Sequence, residues 1–376
     1  MVKEKGSQQS NTKKSSKIPS PTKRLISLDA FRGWTMFWIV GGGSIMTGLA
    51  ALGHNFIIDT IVYHLDHTPW QGLRYYDIIW PSFMLMTGMS LPFSYAKRIL
   101  NNTHTQIFLR VLRRVIILFL LGSVRESVYL NHPFLIELSS ALQPIAIAYF
   151  VAFLLVRKSW YIQITVAAGI LTGYALLLAF IPAPGIPAGT YVINQNLVTF
   201  IDWTILGRAH AEGWGTVLST IPTIATTILG LLIGRLLRTD RSKQTKFLTI
   251  IIIGFSCVLA GLALNPVIPV IMKLWTTSYG LASAGWSCLL FALFYWIIDI
   301  RGIRRWAFPF VVIGMNALAV YMGRTLVPLE KIVGIFTKGM AQDLGNFGSL
   351  FEAISVIIIE WLILYWMYKR KIFLTA

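Results

Sequence analysis

Ten apolar runs, each about as long as a bilayer-crossing helix, constrain the fold of this chain more than any other feature. A helix needs about 20 mostly apolar residues to cross roughly 30 Å of hydrocarbon. Transmembrane strands would instead alternate polar and apolar residues over about ten positions, and these runs do not alternate. The runs fall near residues 33–53, 76–96, 107–123, 138–156, 160–181, 216–237, 247–264, 277–299, 307–327 and 350–368. The sequence therefore predicts an all-α fold, a polytopic transmembrane bundle of about ten helices.

Composition agrees with a membrane protein rather than a soluble domain. Charged residues make up 13% of the chain and hydrophobic residues 55%, whereas a soluble domain carries about 25% charged residues. The net charge of +18 does not indicate a nucleic-acid partner, because the Lys and Arg residues lie between apolar runs and form no base-reading module. We therefore expect a lipid bilayer, and no nucleic acid, around this chain.

The basic residues predict the orientation of the bundle. Clusters of Lys and Arg occupy every alternate connection between the runs. Cytoplasmic loops are enriched in Lys and Arg, so this pattern places both termini in the cytoplasm. Residues 1–26 are rich in Ser, Lys, Pro and Gln, which is typical of a disordered basic tail. Residues 27–376 then form a single transmembrane domain.

The connections on the other side of the membrane hold most of the acidic residues. Three of these connections are longer than a turn, at about 54–75, 182–215 and 328–349. Polar loops that are not basic, gathered on one face, are suited to form the walls of a site for an external substrate. A substrate site on the extracytoplasmic side is therefore expected.

The first helix begins with a charged pair and contains a glycine triplet. Asp29 and Arg32 are three residues apart, so on a helix they share one face and can pair. Arg32 is either a basic side chain at the membrane boundary or part of a site for an anionic cytosolic ligand such as a phosphate. The triplet that ends at Gly43 allows close approach of either a neighbouring helix or a ligand.

His67 is the strongest candidate for a catalytic residue. It stands before the second run, with Asp66 beside it, Trp70 following and Asp77 ten residues further on. A neutral imidazole near the interface can accept a proton from an amine or a hydroxyl group. The alternative is an ordinary polar residue at the start of a helix, and two other histidines of the same region, His54 and His64, compete for the role.

Four more residues are candidate binding residues in the later runs. Lys273 and Trp275 precede the eighth run, where they either bind a ligand or anchor the helix at the membrane interface. Asn316 in the ninth run and Gln143 in the fourth run place amides inside helices, where they either bind a ligand or link helices. Pro144 follows Gln143 and is expected to kink the fourth helix.

The sequence predicts no metal site. Cys257 and Cys288 both lie inside apolar runs, and no His, Cys and Glu residues have the spacing of metal ligands.

Five motifs in the same order resemble the heparan-α-glucosaminide N-acetyltransferase family and its uncharacterised bacterial relatives. The resemblance runs from about residue 22 to residue 376 and lacks only the basic tail. The motifs are Ser27–Gly33, His67–Pro81, Lys273–Tyr279, Gly314–Tyr321 and Tyr368–Phe373. Residues 36–39 and 76–77 look closest to a bacterial branch of unknown function.

This resemblance implies a multi-pass acyltransferase in the inner membrane of a bacterium. Acetyl-CoA would be the acyl donor and would approach from the cytoplasm, and a sugar with an amino or hydroxyl group would be the acceptor on the other side. His67 matches the family's catalytic histidine. It would either activate the acceptor or carry the acetyl group itself. A homo-oligomer is compatible with the sequence.

Two positions depart from the family pattern. By its spacing from Arg32, the family's catalytic asparagine falls at Gly43, and the arginine that usually follows the glutamine of the fourth helix is replaced by Pro144. A missing amide removes a donor that could stabilise charge on the acetyl oxygen. Asn316 and Gln143 are the candidates to replace it.

A transporter or exporter of a sugar or glycoconjugate is the alternative interpretation. It would use the same outer loops without acyl-CoA. The feature that separates the two hypotheses is the basic inner lining near Arg32 and Arg113, since a transporter has no need to bind a CoA phosphate there.

Overall fold

A computed structural model describes residues 25–131, 138, 140–210 and 212–374. Nearly all of the predicted basic tail, residues 1–24, lies outside the described residues.

Fourteen α-helices dominate the described part of the chain. In chain order they are α1 Ile26–Ala50, α2 Phe56–Leu65, α3 Ile79–Arg98, α4 His104–Leu130, α5 Leu142–Leu155, α6 Trp160–Phe180, α7 Leu197–Leu206, α8 Thr220–Arg238, α9 Lys243–Leu264, α10 Thr277–Tyr295, α11 Phe308–Met315, α12 Ala317–Leu326, α13 Leu329–Asp343 and α14 Gly348–Lys369. A π-helical segment, Trp296–Ile300, continues α10. The strands β1 Tyr191–Val192 and β2 Gln195–Asn196 form a small antiparallel hairpin.

Polar side chains fix where several helices begin. Thr103 accepts a hydrogen bond from the backbone N–H of Gln106, and the Gln106 side chain accepts one from the Thr103 N–H, so α4 begins with a capping box. Ser159 and Ser242 cap α6 and α9 in the simpler way, with one side-chain oxygen each. These caps satisfy N–H groups that the first turn of a helix leaves without partners.

Five helices are long and apolar enough to cross a membrane, by length and composition within the described residues. They are α6, α8, α9, α10 with its π-helical continuation, and the helix that ends at Lys369. A sixth span is formed if α11 and α12 are counted together, although the pair bends by 63° at Asn316. The prediction of an all-α transmembrane bundle is thus confirmed in its class. The number of ten spans and the side of the termini stay predictions.

Glycines set the closest helix contacts of the bundle. A Cβ atom on Gly88 of α3 would lie 1.9 Å from the carbonyl oxygen of Thr227, and one on Gly230 of α8 would lie 2.0 Å from that of Leu85. The backbones of α3 and α8 therefore touch directly at these positions. In the same way Gly33 lets α1 approach α11 at Phe310. The two contacts hold α1 and α3, which both contribute lining residues to the candidate site.

Candidate functional site

Two cavities of similar size lie within the bundle. The first, named here the arginine cavity, has a volume of about 350 Å³, and its wall includes Arg32, Arg98 and Arg114. The second, named here the histidine cavity, has a volume of about 360 Å³, and its wall includes His67 and His210. Both volumes are in the range of small-molecule sites.

Lining residues of the two cavities lie about one turn apart on shared helices, so the wall between the cavities is thin. On α1, Met36 lines the arginine cavity, and Ile39, about one turn further along, lines the histidine cavity. On α3, Phe83 lines the arginine cavity and Ile79 the histidine cavity. One turn of an α-helix rises about 5.4 Å. Tyr321 of α12, with 7% of its surface exposed, borders both cavities. A ligand in one cavity would therefore lie close to a ligand in the other.

His67 lies in the wall of the histidine cavity and is held by Asp77. Its Nδ1 atom is 2.8 Å from Oδ1 of Asp77, with 39% of the histidine side chain and none of the aspartate side chain exposed. The Tyr76 ring packs on one side of the imidazole at 4.7 Å, and the Trp214 ring contacts it at 5.7 Å. The imidazole is thus fixed at its buried edge and open toward the cavity.

Asp77 is a fully buried carboxylate with several hydrogen-bond donors. It lies in the 3₁₀ turn before α3 and accepts hydrogen bonds from Oγ1 of Thr68 at 2.6 Å and from the N–H of Arg74 at 2.9 Å. Burial alone would raise its pKa, but the hydrogen bonds from His67, Thr68 and Arg74 outweigh burial and lower the pKa. Asp77 is therefore ionised, and its carboxylate can only accept a hydrogen bond from the Nδ1–H group of His67.

Asp66 shapes the loop and does not line the described wall of the cavity. Its carboxylate accepts hydrogen bonds from the backbone N–H of His67 at 2.8 Å and from Nη1 of Arg74 at 3.0 Å. The same Nη1 atom donates to the carbonyl oxygen of His67. Asp66 and Arg74 together hold the backbone that carries the imidazole.

The arginine cavity has the chemistry of an anion site. Arg32 donates to Oγ of Ser90 at 2.7 Å and lies 3.6 Å from Asp29, its predicted partner. Nε of Arg114 is buried and lacks a hydrogen-bond partner within the described structure. Guanidinium groups match phosphate oxygens in geometry and charge. Arg114 lines this cavity, and Arg113, which the sequence favoured, is an exposed residue outside the wall.

Lys273 and Trp70 lie around the histidine cavity without lining its described wall. Nζ of Lys273 donates to the carbonyl oxygen of Glu212 at 3.0 Å and lies 5.5 Å from the centre of the Trp214 ring. Nε1 of Trp70 donates to the carbonyl oxygen of Tyr191 at 2.8 Å. Both residues fasten the loop between α6 and α8 over the cavity.

Trp275 and Gln143 occupy buried packing positions. The Trp275 ring packs edge-on against Trp80 at 4.9 Å and against Tyr279 at 5.4 Å. Nε2 of Gln143 donates to Oγ of Ser123 at 2.9 Å. Neither residue lines the described wall of either cavity. The amide of Gln143 is therefore committed to linking α5 and α4.

Asn316 and Gly43 cannot supply the missing amide from where the structure places them. The side chain of Asn316 donates to the carbonyl oxygen of Ile372 and accepts from the N–H of Leu374, so it holds the C-terminal segment. Gly43 is exposed, and a Cβ atom there would meet no described atom within 4 Å. The neighbouring Gly42 instead faces Tyr76, whose ring would lie 2.6 Å from a Cβ atom.

Sequence reasoning missed several residues of the histidine cavity. Arg125 and Glu126 of α4 pair with each other in its wall, and the Arg125 guanidinium lies 4.5 Å from the centre of the Tyr321 ring. His210, in the loop after α7, lines the same cavity. The adjacent charged pair directly after the apolar run 107–123 was a signal that could have identified Arg125 and Glu126. For His210 the sequence held no such signal.

A metal site was not predicted from the sequence. Among the described residues, no group of three or more His, Cys, Asp or Glu side chains is placed to hold a metal ion.

The fold and the two cavities define the chain as a helical, multi-pass integral membrane protein. No profile of a known protein family matches it. The chain is 24% identical to heparan-alpha-glucosaminide N-acetyltransferase of Mus musculus, over 94% of this chain and 61% of that protein. It is also 24% identical to the Homo sapiens protein of the same name, over 93% of this chain and 59% of that protein. The chain spans about three fifths of the length of these relatives, and it is a distant relative of the heparan-alpha-glucosaminide N-acetyltransferases.

Proposed function

We propose that this protein is a transmembrane acyltransferase that moves an acetyl or other acyl group from acyl-CoA to an amino or hydroxyl group of a sugar. The observation that carries the proposal is the thin wall between an arginine-lined cavity and a histidine-lined cavity. The phosphates of the donor would bind in the first cavity, and its thioester would extend past Tyr321, which borders both cavities, to the acceptor in the second. Juxtaposing two reactants in one oriented site can contribute several kcal/mol to catalysis.

The arginine cavity supports the choice of a CoA donor. Arg32, Arg98 and Arg114 offer guanidinium groups for phosphate oxygens. Nε of Arg114 is a buried donor that a phosphate oxygen would satisfy. An acyl-CoA supplies an activated thioester when it is bound, and the arginines would hold its phosphates at the far end from His67.

His67 would act as the general base in the histidine cavity. Asp77 orients the ring and accepts from Nδ1, which leaves the lone pair of Nε2 for the proton of the acceptor. The surrounding rings of Tyr76, Trp80 and Trp214 offer apolar faces on which a sugar ring can pack. The same base, orienting carboxylate and aromatic wall would serve either an amine or a hydroxyl acceptor.

The proposal includes the topology predicted from the sequence. Ten spans with both termini in the cytoplasm would put the arginine cavity at the cytoplasmic side and the histidine cavity at the other side, in the inner membrane of a bacterium. The chain would thereby join a cytosolic donor to an extracytoplasmic acceptor. The choice of an acetyl group and of a sugar acceptor is based on the names of the two relatives.

Acyl transfer by purified protein in detergent tests the proposal. With acetyl-CoA and a panel of amino sugars and neutral sugars, the wild-type protein should form an acetylated sugar. His67→Ala should lose this activity while it keeps the increase in unfolding temperature that CoA produces. His64→Ala is the matched control, because His64 is exposed on α2 and lies outside the described wall of the cavity. Full activity of purified His67→Ala would contradict the mechanism. Sugar transport without any response to CoA would favour the transporter.

A further inference from the structure

His210 is a second imidazole of the histidine cavity, and its hydrogen bond fixes its tautomer. The backbone N–H of Glu212 donates to Nδ1 of His210 at 3.3 Å. Nδ1 must therefore carry the lone pair, and a neutral ring then bears its proton on Nε2. His210 lines the same cavity as His67.

His67 has the opposite tautomer. Its Nδ1 atom faces the ionised carboxylate of Asp77 at 2.8 Å, and a carboxylate can only accept. The proton of a neutral His67 ring is thus on Nδ1, and the lone pair is on Nε2. Within the part of the chain that the structure describes, neither Nε2 atom has a hydrogen-bond partner, so the cavity holds one imidazole with an available base nitrogen and one with an available N–H donor. Two like side chains in one cavity can therefore act separately as a base and as a hydrogen-bond donor.

The loop that carries His210 is held at three points. Asp202 of α7 accepts hydrogen bonds from the N–H groups of Thr216 and Val217 at 2.9 and 3.0 Å. The N–H of Gly215 donates to the carbonyl oxygen of Lys273 at 2.9 Å, and the Lys273 side chain returns a bond to Glu212. These bonds tie the loop to α7 and to the segment before α10, so His210 has a defined position.

Burial favours the neutral form of the His210 ring and lowers its pKa. Burial is the largest effect on the pKa of His210, and the positive charge of Lys273 lowers this pKa further. The negative charges of Glu212 and of Glu126, on the facing helix α4, raise the pKa but do not cancel the effect of burial. The charged neighbours in the cavity wall beyond these are Arg125 and, when protonated, His67. A lowered pKa keeps the neutral N–H donor available in mildly acidic solution, where an exposed histidine becomes charged.

We propose that His210 is a catalytic residue that donates a hydrogen bond from Nε2 to the acyl oxygen during transfer. The inference rests on the proposed acyltransferase function. Nε2 of His67 takes the proton of the acceptor as the new C–N or C–O bond forms. The C–S bond of the thioester breaks, and the proton on His67 passes to the leaving sulfur. His210 gains and loses no proton, and it lowers the energy of the charge that develops on oxygen. His210 would thereby supply a hydrogen-bond donor to the acyl oxygen, which Gly43 lacks a side chain to provide.

Paired substitutions test this role. His210→Ala should lower kcat about 10²- to 10³-fold, the usual effect of removing one such donor, with little change in the KM for acetyl-CoA. His210→Gln keeps an N–H donor and should recover part of the loss, which a merely structural role does not predict. His64→Ala should leave kcat unchanged, because this exposed histidine is outside the described cavity wall.

Nitrogen NMR of protein labelled with ¹⁵N-histidine supplies a measurement independent of activity. The spectrum should contain one neutral ring with its proton on Nε2 that disappears in His210→Ala, and one with its proton on Nδ1 that disappears in His67→Ala. An Nδ1-protonated His210, or a wild-type kcat in His210→Ala, would overturn the inference alone. A wild-type protein that transfers no acyl group would contradict the proposed function instead.

Discussion

At the scale of single residues, the chemistry of the histidine cavity depends on how Asp77 holds His67. The carboxylate is fully buried and accepts hydrogen bonds from His67, Thr68 and Arg74. Asp77 therefore has two functions: it orients the imidazole, and it connects the loop after α2 to the start of α3. A change at this residue should alter both catalysis and stability.

Asp77→Asn should lower the free energy of unfolding at neutral pH by about 1–3 kcal/mol, the usual cost of leaving buried polar groups poorly paired. The lowered pKa of Asp77 also gives this contribution a pH dependence. It is fully present above the unfolded-state pKa of about 3.9 and is lost as the pH falls through the lower folded-state value. Unfolding temperatures measured from neutral to strongly acidic pH should therefore fall less steeply for Asp77→Asn than for the wild-type protein. Parallel curves for the two proteins would contradict the assignment.

The pairs that contact each other in the candidate site lie close together in the chain. Asp29 and Arg32 share a helical turn, so the sequence alone predicts their contact, whereas His67 and Asp77 are ten residues apart and meet through the turn between α2 and α3. The roles of Asn316 and Gln143 were harder to predict from the sequence, because the hydrogen-bond partner of a buried amide comes from another part of the chain. Asn316 reaches Ile372, 56 residues away. His210 was missed for the same reason, since its place beside His67 depends on how a distant loop is fastened.

At the scale of elements, the contact between α3 and α8 requires glycine. The Gly88→Ala substitution would place a Cβ atom 1.9 Å from the carbonyl oxygen of Thr227, so the two backbones must separate. Overpacking of this kind costs about 1–3 kcal/mol or more. The unfolding temperature of purified Gly88→Ala should drop accordingly.

Gly173→Ala on α6 is the matched control for this helix contact. A Cβ atom there meets no described atom within 4 Å, and alanine favours a helix over glycine by about 1 kcal/mol. Its unfolding temperature should stay equal or rise slightly. If Gly88→Ala and Gly173→Ala behaved alike, the close approach of α3 and α8 would be refuted.

The long helices were predictable because a bilayer demands long apolar runs. Each of the ten runs coincides with a helix or, for 307–327, with the broken pair of α11 and α12. The shorter helices α2, α7 and α13 were not predicted. They have 10 to 15 residues, which is too short to cross a bilayer, and they lie in connections that the sequence identified only as polar loops. Their positions depend on packing against the bundle.

At the scale of the whole molecule, the predicted orientation can be tested by chemical labelling. Asp59 and Asp240 are both exposed, and the predicted topology places them on opposite sides of the membrane. In a variant without Cys257 and Cys288, Asp59→Cys should react with a membrane-impermeant maleimide in intact spheroplasts of the expression host. Asp240→Cys should react only after the membrane is permeabilised. The reverse pattern would invert the topology.

The arrangement of the two cavities could not be predicted from the sequence. The arginine cavity draws its wall from α1, α3, α4, α5, α11 and α12, and the histidine cavity adds residues from the loop after α7. Sequence reasoning expected a basic inner mouth and an outer histidine. It could not give the single turn of helix between them, or the position of Tyr321 against both cavities, because these follow from the packing of six helices.

Sided acyl transfer across a membrane is the most direct test of the central claim, that donor and acceptor meet through this thin wall. Protein oriented in proteoliposomes would receive ¹⁴C-acetyl-CoA on the side of the arginine cavity and a sugar acceptor on the side of the histidine cavity. The account predicts labelled sugar on the acceptor side only, and none with His67→Ala. Equal product when both substrates are confined to the acceptor side, or product with His67→Ala, would contradict the account.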